Sequence, residues 1–250
     1  MYLAYVDESG EGERGGRYAV AVVLVPHAQW RSTLEELVGF REWVRQFFGI
    51  RVREELKARY LLHNSGASFR QSTNSISEDA RFAIYRQHMR VQPKLGLATF
   101  AVVIRQPEMS QLHPGKHARD LAWQLLLAEL GRFTTQKRTE TALMHGGGSS
   151  LPVGGVARSA YRASTTSDAL ARPAELLLDA VSAPGWMNSL FFQLADLNAH
   201  AAFRAVYPPP PPIRNRRRVV APHTWSELGT ARWTAKRTVP GPVTGITVSP

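Results

Sequence analysis

An α/β fold, a mixed β-sheet flanked by helices, is what this chain of 250 residues predicts. Three observations point to it. Apolar, β-branched runs recur at Tyr2–Val6, Arg17–Val25 and Gly96–Ile104, as strands of a covered sheet would. Between them lie longer stretches whose apolar residues return with a helical period, Trp30–Phe48 and His117–Thr134 most clearly. The resulting order, two strands and a helix, a mixed segment, then strand, helix, two strands and a helix, suits helices packed on a mixed sheet.

Taken in order, Tyr2–Val6 is aromatic and β-branched and reads as a buried strand. Asp7 and Glu8 stop the apolar run, and Ser9-Gly10 supply turn chemistry. Glu11–Gly16 reads as a polar turn, and Arg17–Val25 as the antiparallel partner of a hairpin, ended by Pro26. Trp30–Phe48 places Trp30, Leu34, Leu37, Val38, Trp43, Val44 and Phe47 at helical spacing, with Trp30 and Trp43 read as core. Arg51–Leu62 mixes charge with Leu56, Tyr60 and Leu61. Its Glu54-Glu55-Leu56-Lys57 run is either a solvated helix face or a device that brings Lys57 to a cleft. Asn64–Ser77 reads as a loop or flap, and Glu78–Val91 as a helix capped by Ser77.

Gly96–Ile104 is a third strand. His117–Thr134 is the strongest helical pattern, with Leu121, Leu125, Ala128 and Leu130 or Phe133 on its buried side. Thr139–Met144 reads as a short strand running into His145 and three glycines, Ser149–Ser167 as a loop, and Glu175–Val181 as the last strand. Ser189–Val206 is the final helix. Five prolines at 208–212 cannot continue it and favour extended polyproline geometry. A boundary near Tyr207 therefore divides a domain, residues 1–207, from a Pro/Arg-rich tail, residues 208–250, read as partly disordered or partner-binding. Within that tail Thr224–Leu228 suits one helical turn around Trp225.

The absence of cysteine excludes disulfides and thiolate metal sites and favours a reducing compartment. Asp7-Glu8 interrupt the first apolar run before it could serve as a signal peptide, and the longest apolar stretches are too short to span a bilayer. The expectation is a soluble, cytoplasmic protein with no membrane partner. The formal charge is +11, with eight Lys/Arg against the single acid Glu227 from Arg204 onward. Arg214, Arg216, Arg217 and Arg218 form the densest cluster, a candidate phosphate-binding arm for nucleic acid.

Chemistry concentrates in two short segments. The first is Asp7-Glu8 at the end of the opening strand, where ligands gather in α/β domains. The second is Gln193-Leu-Ala-Asp196 with His200, which stand at i, i+3 and i+7 and share a face of the last helix. A carboxylate on a strand facing one on a helix suits a hard cation such as Mg²⁺ or Mn²⁺. Glycines 146–148 make no phosphate loop, since no Lys-Ser/Thr follows. No zinc spacing, nucleophile elbow or dinucleotide fingerprint is present.

The Asp7-Glu8-Ser9-Gly10 motif after an N-terminal strand, followed late by Gln193-Leu-Ala-Asp196, resembles the prokaryotic family catalogued as domain of unknown function 3800. Lys57 after Glu-Leu resembles a family position more weakly, and the likeness covers about residues 1 to 206. The resemblance implies a ribonuclease H-like fold and metal-dependent nuclease activity on RNA or DNA. It makes Asp7 and Asp196 metal ligands. Two Mg²⁺ or Mn²⁺ ions held there would clamp the attacking and leaving oxygens of a phosphodiester, with Glu8 and Lys57 read as further catalytic candidates and Gln193 as a nucleic-acid contact. The resemblance also implies another acid at the end of a later strand, where this chain has His145. Asp179, His145 and His200 are then the candidate substitutes as ligands, with Glu140 and Asp168 less well placed. The alternatives are a decayed ribonuclease H-like module that binds nucleic acid without cutting it, or a subunit of a larger nucleoprotein assembly docked to a partner protein through the Pro/Arg tail.

Overall fold

A computed structural model describes residues 1–10, 17–63, 76–105, 117–145, 189–208, 220–234 and 244–249, together with the backbone of 177–182. The elements are β1 (Tyr2–Gly10), β2 (Tyr18–Pro26), α1 (Trp30–Phe48), α2 (Ala58–His63), α3 (Glu78–Lys94), β3 (Ala98–Ile104), α4 (Ala118–Lys137), β4 (Thr141–His145), β5 (Leu177–Ser182), α5 (Leu190–Val206), a 3₁₀ segment (Pro222–Ala231) and β6 (Ile246–Ser249). The strands form one mixed sheet in the order β5-β4-β1-β2-β3-β6. β1, β2 and β3 run antiparallel to their neighbours among themselves, whereas β4 and β5 run parallel to β1.

Period-2 alternation builds two apolar faces. Ala4, Val6, Val20, Val22, Leu24, Val102 and Leu143 pack on α4 through Leu121, Ala122, Trp123, Leu126, Leu130 and Phe133. Tyr5, Val23 and Val25 meet α5 and α1 on the other face, where Ala19, Ala21, Ala101 and Val103 join a cluster with α2, α3 and α5. The sheet is thus covered on both sides, which explains why β2 is buried along almost its whole length.

The local readings hold in outline. Trp30–Phe48 and Leu190–Val206 are helices, and Ser77 Oγ accepts the Ala80 N–H at 3.2 Å as the cap of α3. Three differences are physical. β1 does not stop at Val6: Asp7 pairs with Ala21 and Glu8 with Val20, so the ladder runs through both acids to the hairpin turn. A side chain at Gly10 would place its Cβ 2.5 Å from the Arg17 carbonyl oxygen, so the closing pair needs glycine. On α1 the inward stripe is Thr33, Leu37, Arg41 and Val44; Trp43 lies outward at 37% exposure, not in the core. α4 is rotated slightly from its expected setting, burying Ala122 and Leu126 in place of Leu125 and Ala128.

Part of the stretch read as a tail packs onto the sheet. Trp225 and Leu228 of the 3₁₀ segment are buried with the α2–α3–α5 cluster, and Trp225 Nε1 donates to the Thr244 carbonyl at 2.9 Å. Glu227 is gripped by Arg86 and Arg90 of α3, each at 2.6 Å. β6 then adds to the sheet edge, parallel to β3 with Ala101 opposite Ile246. Sparse hydrophobic residues between prolines and glycines conceal such an edge strand from periodicity arguments. No described helix is long and apolar enough to cross a membrane. The flap at 64–75, the loop at 149–167 and the cluster Arg214, Arg216, Arg217 and Arg218 lie outside the described residues.

Candidate functional site

β1 and α5 meet through their apolar residues, and this contact sets the site. α5 is apolar nearly all round because it lies between the sheet and the outer helices. Its polar residues consequently turn inward to partners rather than outward to water. Asn198 exchanges two 2.9 Å hydrogen bonds with Gln92, and its amide also donates to Thr99 Oγ1 at 3.0 Å. Asp196 faces β1 and the segment before α2.

Asp7 stands one residue beyond the β1–β4 pairing, which ends at Val6 opposite His145. This is the carboxyl end of the parallel strands, the position where α/β sheets hold ligands. Burial pushes the Asp7 carboxyl up from 3.8 to about 8, and the charge of Asp196 pushes the same way. The Glu8 N–H, 2.8 Å from Asp7 Oδ1, and the ammonium of Lys57 oppose this rise. Burial also raises Asp196, to about 6, against the Ala58 N–H at 2.6 Å and the cations Lys57 and Arg59. Glu55 adds a further negative charge beside Asp196 and pairs with Lys57 at 3.3 Å. Both aspartates are largely buried but keep part of their surface exposed. Two half-buried carboxylates within each other's field are stable as a cation site, as a proton-sharing pair, or in contact with a lysine.

The other residues singled out from sequence divide sharply. Lys57 joins the pair, carried there by the Glu54–Lys57 segment. Glu8 does not: as its strand neighbour it points to the opposite face of the sheet. There it receives Trp123 Nε1 at 2.7 Å and pairs with Arg119 at 3.0 Å. His145 is on that face too, its Nε2 3.9 Å from Glu8 Oε1 and its ring edge-on to Trp123. Burial holds its imidazole below the usual histidine range. His145 therefore does not replace a missing acid beside Asp7; registered parallel strands put it level with Val6, on the α4 side.

His200 follows Asp196 by one turn, and its Nδ1 lies 3.4 Å from Tyr85 Oη. Burial, with Arg204 and His63 adding to it, lowers this imidazole to about 3. Asp179 is on β5, two strands from β1, and β5 continues past it to Ser182; it does not end its strand. Gln193 is 3% exposed, and its Oε1 accepts Arg41 Nη1 at 2.8 Å and the Leu56 N–H at 3.1 Å. It is thus closed to nucleic acid. Among the described residues no three His, Asp or Glu side chains stand close enough together to hold a metal ion. Sequence reading missed Arg41 and Glu55; a charged residue on the inward stripe of α1 was the available signal for the former.

No family model matches this chain, and no curated protein is similar to it. The chemistry of the site rests on its own geometry.

Proposed function

We propose that Asp7, Asp196 and Lys57 form the site of a divalent-metal-dependent phosphodiesterase acting on nucleic acid. One observation carries the reading. Acids from the first strand and the last long helix meet at the carboxyl end of parallel strands, where burial raises both, the charge of Asp196 raises Asp7 further, and a lysine stands beside them. An antiparallel β1-β2-β3 meander extended by β4 and β5 parallel to β1 is also the arrangement a ribonuclease H-like sheet requires, which supports that fold assignment.

Asp7 and Asp196 fit one Mg²⁺ or Mn²⁺, since such ions are commonly held by one or two carboxylates with water and substrate oxygens completing the shell. Bound there, the ion would supply an acidified water and positive charge for the phosphoryl oxygens. A two-ion site would need further oxygen ligands beyond those two. The protein's own part is then clear. Asp7 and Asp196 present carboxylate oxygens whose ionisation a bound cation would favour, the Ala58 N–H orients Asp196, and the Lys57 ammonium gives a substrate phosphate a point charge. That no three His, Asp or Glu side chains among the described residues cluster closely enough to hold a metal ion favours a second reading, a module that grips nucleic acid without cutting it.

Incubating the full chain with labelled single- and double-stranded RNA, DNA and hybrids, with Mn²⁺, Mg²⁺ or chelator, separates the two. Metal-dependent cleavage lost in Asp7→Asn and Asp196→Asn is the expected result. Binding without cleavage, unchanged in both variants, would replace the phosphodiesterase with the binding module.

A further inference from the structure

A buried guanidinium that the sequence did not bring forward sits behind the site. Arg41, on the inward stripe of α1, is 1% exposed. Its Nη1 donates to Gln193 Oε1 at 2.8 Å, and its Nη2 donates to the carbonyls of Glu54 at 2.7 Å and Arg51 at 3.3 Å. The same Gln193 oxygen accepts the Leu56 N–H at 3.1 Å. One turn further along α5, Asp196 accepts the Ala58 N–H at 2.6 Å. The amides of residues 56 and 58 are thus fastened to one face of α5, and Lys57 is the residue between them. Leu56 is wholly buried, which pins the segment from below.

We propose that Arg41 and Gln193 are positioning residues: they clip the Glu54–Lys57 segment to α5 and so fix the Lys57 ammonium beside the Asp7–Asp196 pair. This rests on the reading of that pair as a phosphodiesterase site. The physical case is one of alternatives. A buried charge is a poor stabiliser, since an apolar residue of similar size commonly serves as well. A planar guanidinium with directed N–H groups does what an apolar residue cannot, because it fixes carbonyls 51 and 54 and an amide oxygen in one geometry. Holding a lysine between two short, unlike anchors also removes rotamer and backbone freedom before substrate arrives.

Native-state hydrogen exchange and brief acetic anhydride labelling of the full chain test the clip, with Gln193→Met, Gln193→Glu and Arg41→Lys. In Gln193→Met and Arg41→Lys the amides of Leu56 and Ala58 should exchange about tenfold faster, the scale of one lost hydrogen bond to a charged or buried partner. Lys57 labelling should rise with them, while that of exposed Lys94 stays constant. Gln193→Glu keeps the acceptor and should remain within about threefold of wild type. With a cleaved substrate, kcat should fall about tenfold in the first two variants with KM nearly unchanged, and Gln193→Glu should restore it.

Unchanged exchange at 56 and 58, or acceleration spread equally over β2, would overturn the clip. So would a loosened segment with unaltered kcat. A wild-type protein that cuts none of the substrates removes the phosphodiesterase reading alone; exchange and labelling still decide the clip.

Discussion

Asp7 and Glu8 are neighbours in one strand, yet they live on opposite sides of the sheet and in opposite electrostatic circumstances. Glu8 looks toward α4, where Arg119 and the Trp123 indole N–H meet its carboxylate at 3.0 and 2.7 Å. Asp7 looks toward α5, where burial and the like charge of Asp196 both work against its ionisation. A compensated acid contributes to holding the fold together; an acid opposed by its surroundings keeps unfavourable energy that a ligand can relieve. The pleat alone makes this division, because adjacent residues of a strand must face different ways.

Glu8→Ala should give the largest effect. It would leave the Arg119 guanidinium and the Trp123 N–H without their acceptor, costing about 2–3 kcal/mol, the lower end for a broken buried pair because both side chains are partly exposed. Urea unfolding followed by circular dichroism measures it. A loss below about 0.5 kcal/mol would show the α4 face to be no better compensated than a surface pair.

Asp7→Asn should act with the opposite sign, and only at higher pH. The folded-state pKa of Asp7 lies above the unfolded 3.8, so between 3.8 and about 8 the folded chain holds the extra proton. Stability then falls as pH rises through that window and levels off beyond it. The uncharged amide removes this fall. The variant should match wild type near pH 4 and exceed it by about 1–2 kcal/mol above about pH 8, because water reaching the partly exposed carboxyl screens part of the repulsion. Equal stability of both proteins across the range would mean that Asp7 is as well compensated as Glu8.

The contrast sharpens with a cation. Mn²⁺ that relieves the Asp7–Asp196 repulsion should stabilise wild type by about 1.4 kcal/mol at tenfold its dissociation constant. Thermal melts should show this shift vanishing in Asp7→Asn and Asp196→Asn while persisting in Glu8→Gln. Loss of the shift in Glu8→Gln as well would place the ion between the faces.

The extent to which the chain announces all this is uneven. Apolar periodicity marks α1 and α5 to their ends, and the Asp7 and Asp196 segments stand out as acids interrupting apolar runs. Hairpin pairing of β1 with β2 follows from two adjacent apolar runs and a glycine. What periodicity conceals is the direction of single side chains. Gln193 and Asp196 share a helix face, yet one is sealed behind Arg41 and the other opens to Asp7, because the Leu56 and Ala58 amides reach them from a segment with no regular pattern. β6 escapes for a related reason: a four-residue edge strand after a proline-rich stretch carries too little alternation to register.

His145 offers the smallest effect and the most searching test of the two faces. It is 5% exposed, edge-on to Trp123 and 3.9 Å from Glu8, too far for a hydrogen bond. Burial lowers its pKa below 6.5, and Arg119 adds to this while Glu8 opposes it. As pH falls below 6.5 the unfolded chain therefore takes up the proton first, and the folded state loses stability on the acid side. His145→Gln removes that titration, so it should be nearly neutral at pH 7 and gain about 0.5 kcal/mol near pH 5, an ordinary size for an uncoupled site. The Mn²⁺-induced rise in melting temperature should be the same in variant and wild type, since the imidazole is on the α4 side of the sheet. A rise abolished by this substitution would bring the imidazole into the cation's shell, and Asp7 and Glu8 would then serve one centre instead of two separate faces.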